Sequence, residues 1–337
     1  MQEIKVVLTM DCEPTTATSH PAATGPANWS GGEDAVLGYA EIAARYGLPV
    51  TFFMHPEAAI AQADMFRDLE RNGACLGLHM HPWKYGLWCH QGRKYLAHYG
   101  RLSSAEQQEL LAESSAIWAD AIGHRPEYFR PGTFSANDSI FAVLESEGFR
   151  GGSCTAPGRV IPEMQAIWVG GQPDPHRGHA AFRQARGNLD FANMPLSADF
   201  SRALNGPANR SMYADFRPDV DWLGQYQVSY RTIATNIVTQ VRERTPTVPV
   251  LSTITHNHYA YRDADDPVTL RLRTMLDEMM TACQAAGIKA KGATLREVAD
   301  DVLAHPGVQE PFVCEGAIFD LAGERAELER TQQQPGA

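Results

Sequence analysis

Six cysteines are scattered over 337 residues, and none stands in a CxxC pair. Cys12, Cys75, Cys89, Cys154, Cys283 and Cys314 therefore outline neither a zinc ribbon nor a disulfide framework, and a reduced, cytoplasmic chain is the simplest expectation. No run of about eighteen apolar residues occurs, so no membrane-spanning helix is expected. The opening MQEIKVVLTM lacks the h-region and small-residue cleavage site of a signal peptide. Basic clusters are missing too, and with a formal net charge of −11 a nucleic acid is excluded as the natural partner. Internal repeats are absent. What remains is 44% hydrophobic residues, 20% charged residues, 28 Gly and 21 Pro, an ordinary mix for a soluble enzyme with one large core.

IKVVLTMD (4–11) is an apolar run ending in an acid and predicts a buried strand. EDAVLGYAEIAARYGLP (33–49) has helical spacing and a Gly-Leu-Pro stop. VTFFMH (50–55) predicts a strand, 58–73 a helix and ACLGLHMH (74–81) a strand. Residues 103–123 form an amphipathic pattern capped by Ser103 or Ser104. A strand at 126–130, a helix and strand within 139–155, a strand at 247–257 and helices at 269–288 and 294–304 follow. This alternation predicts parallel β structure covered by helices. The stretch 171–230 breaks the rhythm; rich in Pro, Asn, Arg and Asp, it reads as long loops with short strands, of the kind that shape binding sites. The chain divides into a core domain at 1–305 and a polar arm or tail at 306–337.

In CLGLHMHPWKYG (75–86), His79 and His81 stand two apart after an apolar run. Residues i and i+2 of a strand share a face, so the pair can hold a metal or line a polar cleft. Chance competes, since the chain has 12 histidines. Other strand ends carry chemistry as well: Asp11-Cys12-Glu13 after the first, Arg130 within YFRPGTFSAND, and His256-Asn257-His258 after the late one. In barrels of parallel strands functional groups sit at the carboxyl ends, and four such ends with acid, imidazole and guanidinium exceed what turns alone require.

On these residues the chain resembles the polysaccharide deacetylases, carbohydrate esterase family 4, with their metal-free and amide-hydrolysing relatives. The resemblance runs from VVLTMDCEP through VTFFMHPEA, GLHMHPW, the 102–132 segment and VLSTITHNH to QAAGIKAKGATLREVADDV, and is weak over 155–245. It implies an α/β fold, a distorted (β/α) barrel of seven or eight strands. It implies Asp11 as general base, Arg130 as the residue that orients it and His256 as general acid. The family's second acid binds metal; Glu13 matches better than Cys12, although a thiolate can also bind zinc. His79 and His81 complete the implied ligand set for a divalent ion, zinc by expectation. The family usually spaces its two histidines four apart, where this chain has Trp83. Trp83 and His258 are candidate substrate contacts, with Tyr85 and Trp88 beside Trp83.

Each residue also has a plain structural reading. Asp11 can cap a turn, Glu13 can be a solvated acid, Arg130 can serve an ion pair, and the histidines and Trp83 can simply pack. His258 can replace His256 as the acid or stand behind it. The chemistry fits hydrolysis of a carbon–nitrogen bond, which needs an activated water, a polarised carbonyl and a proton for the leaving nitrogen. The expected reaction is metal-dependent deacetylation of an N-acetylated sugar or small amide. Its rivals are metal-independent, allantoinase-like hydrolysis of a cyclic imide or ureide, and a non-catalytic binding protein on the same fold. The expected partner is a small-molecule substrate, with neither nucleic acid nor membrane, and self-association stays open.

Overall fold

The computed structural model describes residues 1–17, 24–85, 97–206 and 210–308. Near-continuous apolar runs give strands buried on both faces: β1 (Glu3–Cys12), β2 (Val50–Met54), β3 (Cys75–Met80) and β4 (Tyr128–Pro131). Shorter strands follow: β5 (Gly151–Gly152), the ribbon β6 (Val160–Ile161) and β7 (Ala166–Ile167), β8 (His176–Arg177) and β9 (Ala192–Asn193). The hairpin β10 (Ala198–Asn205) and β11 (Ser211–Asp215), then β12 (Val250–Ser252) and β13 (Lys289–Gly292), complete the described strands.

One curled sheet runs β12-β1-β2-β3-β4-β5-β9-β8, with β13 beside β1. Every pairing from β12 to β9 is parallel, and β8 joins antiparallel. Among the described residues no strand ladder closes the barrel between its ends. Two serines cinch the gap instead: Ser197 N–H donates to Ser252 Oγ and Ser252 N–H to Ser197 Oγ, both at 2.9 Å. Ser252 Oγ in turn donates to the Pro195 carbonyl at 2.7 Å. This is the distorted (β/α) barrel expected, with nine described strands in its sheet where seven or eight were expected.

The pleat sorts β1 into two cores. Val6, Leu8, Met10 and Cys12 point outward to the helices, packing with Val36, Tyr39, Leu110 and Trp118. Val7 points inward with Phe53, Tyr128 and Val250, and Leu295, Val298 and Val302 of the helix Leu295–Ala304 join that inner cluster. With apolar residues filling the interior, polar groups collect at the carboxyl ends of the strands.

Three local outcomes refine the sequence reading. The expected helix at 58–73 is two helices, Pro56–Ala61 and Ala63–Arg71, broken at Gln62, whose amide donates to the Trp29 carbonyl at 2.9 Å. Ser103 is the cap, in a reciprocal box with Glu106. The helix Tyr230–Arg244 escaped the reading; its buried Tyr230, Ile233, Ile237 and Val241 keep helical spacing, but threonines and arginines dilute the apolar signal. Most of the arm expected at 306–337 lies outside the described residues. Among the described residues no helix is long and apolar enough to cross a membrane.

Candidate active site

Asp11 follows Thr9 on the inward face of β1, and Glu13 stands two residues on, one past the end of the strand. Asp11 Oδ1 accepts from Arg130 Nη1 at 2.7 Å, and the same nitrogen donates to Thr9 Oγ1 at 2.8 Å. Arg130 Nη2 donates to Ser153 Oγ at 2.9 Å. The fully buried guanidinium lies 4.2 Å from the Phe53 ring centroid. Gly77 makes room for that ring, since a Cβ there would come within 2.9 Å of Phe53 Cδ1. A planar, multiply bonded guanidinium of this kind fixes a carboxylate's direction better than an ammonium does.

Glu13, His79 and His81 offer ligand atoms that all lie within 4.8 Å of one another. Glu13 Oε1 stands 3.4 Å from His79 Nε2 and 3.1 Å from His81 Nε2. Tetrahedral neighbours on a zinc ion with bonds of about 2.1 Å are about 3.4 Å apart, so the spacing suits one ion. The tautomer suits it too. His79 Nδ1 lies 3.0 Å from the Arg130 carbonyl and must donate to it. That bond turns Nε2 toward Glu13 Oε1 and toward Asp11 Oδ2 at 3.9 Å, a position suited to a cation, either a metal ion or a proton on Nε2. His81 is kept neutral: burial, and after it Lys84, push its pKa well down. Burial opposes charge on Glu13, but the positive charge facing it, with the Lys84 ammonium in direct contact, outweighs burial and holds the carboxyl well below the usual range.

Cys12 does not join this set. It faces the outer core, and burial, with Asp11 and Glu13 adding repulsion, pushes its thiol pKa well up, so it stays protonated. Trp83 stands with its ring 6.0 Å from that of His81, at the edge of the site.

A parallel bridge pairs Asp11 with His256, with Asp11 N–H donating to Thr255 O at 2.8 Å and Asn257 N–H to Asp11 O at 3.1 Å. The segment after β12 therefore lies in register beside the end of β1. His256 Nδ1 lies 2.6 Å from Asp219 Oδ2. Burial disfavours the imidazolium, but Asp219, then Asp11 and Glu13, raise the His256 pKa above its ordinary value. His258 behaves oppositely: burial and the neighbouring His256 push it down to about 4. Of the two, His256 has the environment of a proton donor at neutral pH, and His258 that of a neutral imidazole.

Sequence reasoning missed several residues here. Asp219 lies in the loop-rich stretch and carries no local signal. Lys84 is buried with Nζ 2.9 Å from Glu13 Oε2 and 3.1 Å from the Thr24 carbonyl. Asn257 clamps the Glu13 backbone, accepting from its N–H at 2.9 Å and donating to its carbonyl at 3.1 Å. His55 bridges Glu57 and the His81 N–H; it closes the quoted VTFFMH strand, which was the available hint. After Arg130 the chain turns sharply. Gly132 packs on His81, where a Cβ would fall 2.2 Å from Nδ1, and Thr133 and Phe134 take φ of 57° and 59°. Two successive non-glycine residues in the left-handed region are strained, and such strain gathers at functional turns.

Residues 3–152 match the family model described as polysaccharide deacetylase. Among solved structures, a probable polysaccharide deacetylase from Pseudomonas aeruginosa is similar over 92% of this chain and 93% of its own, at 16% identity and a TM-score of 0.52. The Puue allantoinase is similar over 92% and 93%, at 13% identity and a TM-score of 0.51. At such identities the likeness is one of fold. No curated protein matches the sequence.

Proposed function

We propose that this chain, which belongs to the polysaccharide deacetylase family through residues 3–152, hydrolyses a small soluble amide in a metal-dependent reaction, in the cytoplasm. Polysaccharide deacetylases are hydrolases of non-peptide carbon–nitrogen bonds. One observation carries the finer reading: Asp11 on Arg130, the Glu13–His79–His81 cluster and His256 on Asp219 converge at one end of the barrel.

Glu13, His79 and His81 would hold the divalent ion, for which zinc is our choice. When bound it would polarise the scissile carbonyl and acidify a water. The remaining steps belong to the protein. Asp11, aimed by Arg130, accepts a proton from the attacking water. The water oxygen bonds to the acyl carbon. His256 Nε2 then delivers a proton to the nitrogen as the carbon–nitrogen bond breaks, leaving an acid and an amine. Asp219 on Nδ1 orients the ring and stabilises its charged form.

Lys84 favours a second reading. Its ammonium already sits on Glu13 Oε2, so part of the cluster's negative charge is met without an ion. A metal-independent hydrolase of a cyclic imide or ureide would use the same base, arginine and acid. Elemental analysis of chain purified without added metal separates the two. The first reading expects about one divalent ion per chain, lost in His79→Ala; negligible metal in both samples, with activity on cyclic imides, supports the second. Assays on chitin oligomers of rising length beside monomeric N-acetyl compounds test the preference for small substrates. Activity climbing with length would overturn that preference.

A further inference from the structure

A cavity of about 270 Å³ lies beside this site, lined among others by Arg159, Ile161, Leu196, Met212, Asp215 and Arg217. It shares parts with the catalytic groups. The Phe134 ring has Arg130 Cζ 5.6 Å and Arg159 Cζ 4.8 Å from its centroid. Phe216, next to Arg217, accepts a backbone hydrogen bond from Ile254 at 3.1 Å, two residues before His256. The cavity's charges are nearly matched. Arg217 holds Asp215 through two hydrogen bonds of 2.6 Å, and Arg210, also on the wall, pairs with Glu163. Arg159 is left over. Among the described residues it forms no ion pair, and its one side-chain hydrogen bond runs from Nη1 to the strained Thr133 carbonyl at 3.4 Å. Burial, and then the like charge of Arg217, bring its pKa down to about 10.

A partly buried guanidinium facing a cavity with no carboxylate in contact leaves a positive charge that a ligand's carboxylate can meet. We propose that the substrate is an N-acylated acid, whose carboxylate pairs with Arg159 in this cavity while its amide lies at the Asp11–His256 end. One unmatched positive charge suits a monoanion. Ile161, Leu196 and Met212 beside it suit an apolar side chain on the same molecule. The claim rests on the hydrolase reading for the amide's placement, but the anion subsite stands or falls by binding alone.

Calorimetry with unhydrolysable probes tests it on the unmodified chain: N-methanesulfonyl leucine, methionine and phenylalanine, each beside its neutral carboxamide. The acids should bind at least about tenfold more tightly than the carboxamides, the tenfold being about 1.4 kcal/mol. Arg159→Gln should erase that preference while leaving carboxamide binding within about threefold, and Arg159→Lys should keep part of it. Equal binding of acids and carboxamides, equal weakening of both in Arg159→Gln, or no binding by any acid would overturn the proposal. Retained acid preference in a chain that hydrolyses no amide would sink the hydrolase reading and leave the anion subsite intact.

Discussion

Between β1 and β4 strand register holds the site, with Asp11 beside Phe53 and His79 beside Arg130 in the ladders. Past β4 the sheet strands are short, with two residues in β5, β8 and β9, three in β12 and four in β13, and the functional groups hang on loops. Asp219, Arg159 and Arg217 are placed by ion pairs, a stacked ring and single backbone bonds. The first half thus holds Asp11 and His79 by ladder register, whereas Glu13 and His81 stand one residue past their strands. The second half clamps Glu13 through Asn257, sets His256 by its bridge to Asp11 and by Asp219, and holds the pocket by charge. The family model stops at residue 152, the end of β5. A ladder constrains residue type at every second position, whereas a loop can be rebuilt around a new substrate without disturbing the sheet.

The largest effect expected is in the ladder-held half. Asp11→Asn should lower amide turnover about 10³-fold per folded chain, because the proton acceptor is gone. It should also cost about 3 kcal/mol of stability, since the fully buried Arg130 loses its charged partner. Steady-state kinetics corrected for the folded fraction by circular dichroism reads both; unchanged turnover would remove Asp11 from the mechanism.

Next comes the ligand cluster. Glu13→Gln should weaken divalent-ion binding at least about 100-fold, read by competition with a chelating dye. Cys12→Ser should leave it unchanged, because that thiol faces the outer core.

In the loop-held half, His256→Ala should slow amide hydrolysis about 100-fold and an activated ester much less, as the ester's leaving group needs less protonation. His258→Ala should not show this split. The pH profile sharpens the contrast. His256 works protonated and its pKa is raised, so kcat/KM should fall as pH rises through a value above the ordinary histidine range. Asp219→Asn removes the main raising partner, and the descending limb should move to lower pH. A limb that stays put in Asp219→Asn would mean another group is the acid.

The smallest catalytic effect should come from the seam. Ser252→Ala strips the Ser197 N–H of its acceptor and Pro195 O of its donor, both buried, and should cost about 1–3 kcal/mol in urea unfolding. Turnover at 25 °C should change less than threefold. A large loss of activity there would mean the seam sets the position of His256.

Much was legible in the sequence because strand alternation is local. Thr9, Asp11 and Glu13 share a face by the period of two, and so do His79 and His81. A candidate ligand cluster and a candidate base could therefore be named from two short segments and a family resemblance, and the covering helices followed from their apolar spacing and caps. The i, i+2 histidines, unusual for the resemblance, do reach one Glu13 oxygen. Tertiary structure alone decided the rest, because those contacts join positions with no common pattern. Asn257 clamps Glu13 across 244 positions, and Asp219 meets His256 across 37. The resemblance already preferred Glu13 to Cys12 and His256 to His258; the fold adds that Cys12 faces the outer core and that Asp219 meets His256. Arg159 became notable only when its neighbours' charges were seen to be matched elsewhere. An unpaired cation is a property of a folded environment, where burial makes each missing partner costly; in the linear chain every arginine is solvated alike.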